Sequence, residues 1–153
     1  MTESNKKIME PVEIISMKLV KGEDLNHHGT LFAGRTTEWF VEAGFIATTM
    51  LVSPEKVVCL KLHEMHFTKP IRLGQILKFQ AKVIYTGKSS LISYVQILNP
   101  EKKKPYVSGF ITFINVDGNT KPSPHNVEIL PETEEDIELN EIAKGLNGKI
   151  KNI

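Results

Sequence analysis

Residues 34–51 read GRTTEWFVEAGFIATTML, a stretch without proline, largely apolar, with charges only at Arg35, Glu38 and Glu42. A run of that length and character predicts a buried helix, since a strand of the same polarity would be shorter and punctuated sooner. Upstream, residues 11–20 (PVEIISMKLV) mix apolar and β-branched side chains with scattered charges and stop at the polar, Gly-containing stretch Lys21 to Gly29. That pattern predicts a strand followed by a loop. Downstream, Ser53-Pro54 closes the helix, and four strand-like runs follow: Val57–Lys69, Gln75–Tyr85, Ser89–Leu98 and Tyr106–Asn115. Lys-Pro, Gly-Lys, Asn-Pro and Asp-Gly steps mark their ends. One helix followed by closely spaced strands implies an α+β fold, with a mainly antiparallel sheet laid against the helix.

The strand patterns differ. In 77–84, Leu77, Phe79, Ala81 and Val83 alternate with Lys78, Gln80 and Lys82, as a strand with one wet face requires. In 106–115, Val107, Ile111 and Phe113 share the strand with Phe110 and Ile114, so both faces are apolar. One helix cannot cover both faces, which predicts subunit contacts there. The tail Pro131–Ile153 opens PETEED, with Thr133 and Asp136 at capping-box spacing, Lys144 late and Gly145 after it. It predicts a short surface helix with a frayed, basic end. We therefore expect a single domain over 1–153, with a core at about 10–128 and a C-terminal tail at 129–153.

With 19 Lys+Arg against 18 Asp+Glu the formal net charge is +1, so no broad basic field exists to attract nucleic acid or an anionic membrane. Met1 to Pro11 lacks the apolar core of a secretory signal, and no run approaches the roughly 18 apolar residues of a membrane span. A lone Cys59 makes no internal disulfide. A soluble, cytoplasmic protein is the expectation.

Chemistry has few places to reside. The loop Asn26-His27-His28-Gly29-Thr30-Leu31-Phe32-Ala33-Gly34 combines hydrogen-bonding side chains with two glycines just before a helix N-terminus. Unpaired N–H groups and the helix dipole make that position suitable for an oxyanion, with Asn26, His28, Gly29, Thr30 and Gly34 as candidate contacts. The same composition also makes ordinary turns. On a helical wheel Arg35, Glu38 and Glu42 share one strip. The strip is either the wet side, carrying an Arg35–Glu38 pair, or the wall of a cleft in which Glu42 or Glu38 serves as a general base. Arg35 is the natural partner of Glu38, which leaves Glu42 the freer carboxylate. His63 and His66, three apart on a strand, point to opposite faces, so no metal site is expected. Cys59 reads as a buried, inert thiol. The turn Gly87-Lys88-Ser89-Ser90 is a hairpin turn or a phosphate cradle built on Lys88, Ser89 and Ser90, and Lys102–Lys104 is a weaker basic loop.

Two motifs together resemble a known family. Asn26-x-x-Gly29-x-Leu31-Phe32-x-Gly34 leads into a helix with Glu42-Ala43-Gly44, and Met65-His66-Phe67-Thr68-Lys69-Pro70-Ile71-Arg72-Leu73-Gly74 carries a Phe-x-x-Pro-Ile-x-x-Gly turn. Over residues 10–140 the chain resembles the hotdog-fold acyl-CoA thioesterases of the cytosolic acyl-CoA hydrolase group, whose usual ending is also similar to Val116-Asp117-Gly118 and Pro131–Glu135. The resemblance implies a curved antiparallel sheet wrapped around one long central helix, plus a short C-terminal helix. It implies a homodimer that joins sheets side by side, assembles to a tetramer or hexamer and holds active sites at the interface. It further implies acyl-CoA as substrate, no cofactor beyond coenzyme A itself, and Asn26 as the residue that orients substrate. The family's acid stands seven positions after the last loop glycine, where this chain has Val41, with Glu42 next to it. Two rival functions follow from the same resemblance: a noncatalytic acyl-CoA-binding module, and an enoyl-thioester hydratase or dehydratase using His28.

Overall fold

The computed structural model describes residues 5–101 and 104–149. Among the described residues, seven strands, β1 (Lys7–Met9), β2 (Ile14–Leu19), β3 (Val57–His63), β4 (Ile76–Thr86), β5 (Ser90–Leu98), β6 (Pro105–Asn115) and β7 (Val127–Ile129), accompany two α-helices, α1 (Ala33–Thr49) and α2 (Glu134–Gly148). The main sheet has five strands in the order β2-β4-β5-β6-β3, every neighbour antiparallel. The expected α+β fold is what forms.

The helix lies on the inner face of the sheet. Phe40, Ala43 and Ala47 from α1 are buried with Phe79, Val95, Ile111 and Phe113 from the strands. Gly44 sets the distance between the layers, because a methyl group at its Cα would stand 2.8 Å from Ile111 Cδ1 and 3.3 Å from Val95 Cγ2. Polar groups in that seam are paired. Ser93 Oγ donates to the Gly44 carbonyl at 3.1 Å, Thr48 Oγ1 donates to the same carbonyl at 2.9 Å, and the two hydroxyls lie 2.9 Å apart.

The chain departs from the sequence expectations in four places. The run 57–69 ends as a strand at His63, where Glu64 takes a φ of 25° and the chain leaves the sheet. Gly109 permits this exit: a Cβ there would meet the Glu64 carbonyl oxygen at 2.9 Å and Phe40 at 3.3 Å. β1 and β7 form a parallel pair that three-residue segments could not announce by periodicity. α2 spans 15 residues, running through Gly145. Tertiary anchors outweigh the poor helix propensity of glycine: Asn140 Nδ2 donates to the Ile84 carbonyl at 2.8 Å, and Ser90 Oγ donates to Asn147 Oδ1 at 2.7 Å. The capping at Thr133 forms as expected, its hydroxyl accepting from the Asp136 N–H at 3.1 Å. The helix is longer than a short surface segment, and residues 150–153 of its expected basic end lie outside the described residues. Finally, the second apolar face of the sheet is in part covered by this chain's own α2, which buries Ala143 against Ile84 and Ile92 with Phe110 and Leu139 at the margin. α2 thus supplies part of the cover that the sequence pattern assigns to subunit contacts.

Gly109→Ala should destabilise the fold by about 1–3 kcal/mol, because the clash is with backbone rather than with a movable side chain. A lower urea midpoint at unchanged m-value would show it, and an unaltered midpoint would refute it.

Candidate functional site

The loop ahead of α1 is organised by two side chains. Asn26 Oδ1 accepts from the backbone N–H of His28 at 2.8 Å and of Thr30 at 3.2 Å, while its Nδ2 donates to Thr30 Oγ1 at 3.1 Å. This turn requires Gly29 at a φ of 78°, a conformation that a side chain would strain. The second organiser is Asp24, 4% exposed. Its carboxylate accepts from the Lys21 N–H at 2.9 Å and faces Arg35 Nε at 3.3 Å, and its carbonyl accepts from the Phe32 N–H at 2.9 Å. A buried carboxylate needs such a partner, and Arg35 therefore belongs first to Asp24 and only second to Glu38, 3.7 Å away. The i,i+3 pair expected from sequence is thus the looser of the two. Nothing local in the sequence marks Asp24 as buried.

The N-terminus of α1 is chemically open. Phe32 stands at the N-cap without a side-chain hydrogen bond, and the first turn carries no acid. Gly34 lacks the Cβ that would strike the exposed Phe32 ring, 2.5 Å from the nearest ring carbon. First-turn N–H groups without partners in the helix are the donors a developing oxyanion requires.

The two candidate carboxylates are less enclosed than a general base calls for. Glu38 keeps 62% of its side chain exposed, and Glu42 keeps 52%, with Lys18 Nζ at 3.7 Å from its carboxylate. Lys18 in turn lies 5.9 Å from the Trp39 ring centroid. Along the same side of α1, Ile46 and Met50 are exposed. In one chain, this strip therefore faces solvent.

Several expected positions are corrected. Cys59 is exposed on β3, since the strand order puts β3 at an edge of the sheet with no strand beyond it among the described residues. Partial removal from water still pushes its thiol pKa up, against a backbone hydrogen bond at Lys61. His63 is buried with Nε2 2.8 Å from Thr112 Oγ1, whereas His66 sits past the strand end, exposed, 3.5 Å from Glu64. The His27 and His28 rings are exposed, with centroids 3.9 Å apart and planes tilted by 42°.

A second place lies around the turn between β4 and β5. Gly87, Lys88, His125, Asn126 and Lys6 line a cavity of about 460 Å³. Lys88 and Ser89 belong to the turn, but the Ser90 hydroxyl is buried and committed to Asn147, so it cannot serve a ligand as expected. Gly87 is required here, as a Cβ would come within 2.4 Å of Ser90 Oγ. His125 braces the cavity wall: its Nδ1 accepts from the Val127 N–H at 3.0 Å, which leaves Nε2 to donate to the Ser90 carbonyl at 2.9 Å. Lys102 and Lys103 lie outside the described residues.

One long helix laid on a five-stranded antiparallel sheet of order β2-β4-β5-β6-β3 is the architecture of the hotdog class. The chain belongs to the Thioesterase superfamily, whose pattern its residues 28–106 match. It is 28% identical over 124 residues to the uncharacterized acyl-CoA thioester hydrolase YkhA of Bacillus subtilis, covering 78% of this chain and 71% of that one. An acyl-CoA hydrolase of Staphylococcus aureus, solved with butyryl coenzyme A, coenzyme A and coenzyme A disulfide, superposes with a TM-score of 0.79 at 27% identity, over 92% of this chain and 84% of that one. A hexameric acyl-CoA thioesterase solved in its apo form superposes with a TM-score of 0.79 at 26% identity, over 92% and 91% of the two chains.

Burial, reinforced by Lys6, lowers the His125 pKa from 6.5, outweighing hydrogen bonds to the backbone at Ser90 and Gly87. The His63 pKa is also lowered, by burial and then by Lys61. The unfolded chain takes these protons first, so their stabilisation is complete above about pH 6.5 and is lost as pH falls through the folded-state values. The melting temperature should fall between pH 7.5 and pH 5, and His125→Gln should shrink that fall. A flat profile would contradict the argument.

Proposed function

We propose that the protein is an acyl-CoA thioesterase, hydrolysing acyl-CoA to the free acid and coenzyme A. The observation that carries this reading is the uncapped N-terminus of α1 beside the Asn26 loop, in a chain whose relatives bear names of that activity. The thioester carbonyl oxygen accepts hydrogen bonds from Asn26 Nδ2 and the first-turn N–H groups of α1. Negative charge that develops on that oxygen is met by the positive end of the helix dipole. Glu42 is the carboxylate, with Glu38 as the neighbouring alternative. It either draws a proton from the attacking water or adds to the carbonyl carbon to form an anhydride that water then opens. In both routes the C–S bond breaks, the thiolate departs as coenzyme A, and water supplies the acid oxygen. No metal or redox cofactor enters.

Glu42 stands nine residues past Ala33, about 13 Å along the helix axis from the donors, so one helix cannot present both to one carbonyl. Two protomers can. We place the active site between copies joined through the β3 edges, where Val58 and Leu60 of β3 and Ile46 and Met50 of α1 are left exposed. Such contact would take Glu42 out of bulk water and hold it against the substrate of the other protomer. The dimers would assemble further, as in the hexameric relative. Lys88, with Ser89, binds coenzyme A phosphate at the mouth of the 460 Å³ cavity. The whole chain acts as one domain, and its single cysteine fits a cytoplasmic site of action.

Release of free thiol from a panel of acyl-CoAs of different chain length tests the activity; no release above background with any member would leave only a binding role. Glu42→Gln should lower kcat by about 100-fold or more with little change in melting temperature. A crippled Glu38→Gln beside an unaffected Glu42→Gln would move the base one helical turn back.

Lys88 is exposed, and a contact of that kind is worth about 1 kcal/mol, so Lys88→Ala should raise KM several-fold and leave kcat nearly unchanged. The effect should shrink as salt is added. An unchanged KM at low ionic strength would show the turn to be a plain hairpin.

A further inference from the structure

We infer that the outer face of the sheet carries a second ligand site, a trough between β3 and α2 that takes an aliphatic monocarboxylate. α2 packs chiefly over β4 and β5 and reaches β6 only at Phe110, which leaves an open trough between the helix and β3. The cavity there has a volume of about 530 Å³, within the range of small-molecule sites. Its floor is aromatic: the Tyr94 and Phe110 rings lie 5.0 Å apart and are both half-buried. Its wall is the stripe Leu139, Ile142 and Leu146 of α2, one face of the helix at intervals of three and four, and Ile142 keeps 47% of its surface exposed.

Charge at the rim selects the occupant. Lys61 stands on the β3 side and Lys149 at the end of α2, so cationic groups border the apolar floor from both sides. The one acid on the lining, Glu64, lies 3.5 Å from His66 Nε2 on the same rim. An apolar trough with two ammonium groups at its edge suits a hydrocarbon tail ending in a carboxylate. Pairing of two copies at their β3 edges would extend the sheet in its own plane and leave this face open. None of these residues belongs to the proposed thioesterase site, so the inference does not depend on that activity.

The test uses the full-length protein and a diazirine analogue of dodecanoate, photolysed and mapped by peptide mass spectrometry, with unlabelled dodecanoate as competitor. Saturable labelling is expected on peptides from 105–112 and 136–149, reduced at least fivefold by Ile142→Glu. Lys61→Glu should weaken competition by dodecanoate several-fold while leaving that by dodecanol almost unaltered. Both substitutions are at exposed positions, and circular dichroism checks that they fold. Labelling confined to 33–49 would overturn the inference in favour of binding along α1 at the proposed thioesterase site, and labelling without saturation would overturn it as nonspecific. A drop in oligomer mass on Ile142→Glu, read by light scattering, would overturn it in favour of a subunit interface.

Discussion

The close approach of α1 to the sheet at Gly44 is the constraint on which the other features depend. With no side chain between them, the helix backbone comes near enough for Ser93 to reach the Gly44 carbonyl, and Thr48 completes the polar triangle. Three hydrogen-bonding groups in an otherwise apolar seam fix both depth and rotation of the helix, because any other setting would leave a buried hydroxyl unpaired. That rotation decides which α1 residues face outward, and so puts Glu38, Glu42, Ile46 and Met50 on one exposed side.

Helix rotation alone does not place the loop. The buried Asp24 does so from the other direction, accepting from Lys21 and facing Arg35 while its carbonyl holds the Phe32 N–H. An anion removed from water and tied to both sides of the loop allows little freedom to the residues between. Asn26 then uses its side chain to close the turn on Thr30, so the loop geometry is set before any substrate arrives.

Local pattern carried most of the fold. The helix and four strands were readable because each is long, periodic and bounded by Pro or Gly, and the boundaries of β4, β5 and β6 fall within a residue of those expected. What local pattern does not hold is neighbour relations in space. Cys59 lies in an apolar run that reads as buried, yet the strand order makes β3 an edge. Ser90 looks like a turn hydroxyl and is instead engaged by a residue 57 positions away. Sequence pairs Arg35 with the nearby acid Glu38, although a buried carboxylate eleven residues upstream lies closer in space. The Ser90 and Arg35 readings put a nearby partner in place of a more distant one, and the Cys59 reading supplied a neighbouring strand that the edge does not have. The candidate site was readable to the extent that it is local: Asn26, Gly29 and Thr30 form one turn, as their spacing suggested. The setting of the helix acid was not, since Glu42 lies on a side of α1 that a single chain leaves open to solvent.

The bond between Ser90 and Asn147 has a mechanical side. Asn147 is the penultimate residue of α2, and through Ser90 it holds the turn that carries Lys88. The last turn of α2 and the seat of Lys88 are therefore mechanically one piece, so that fraying of the helix would loosen the turn 57 positions earlier in the chain.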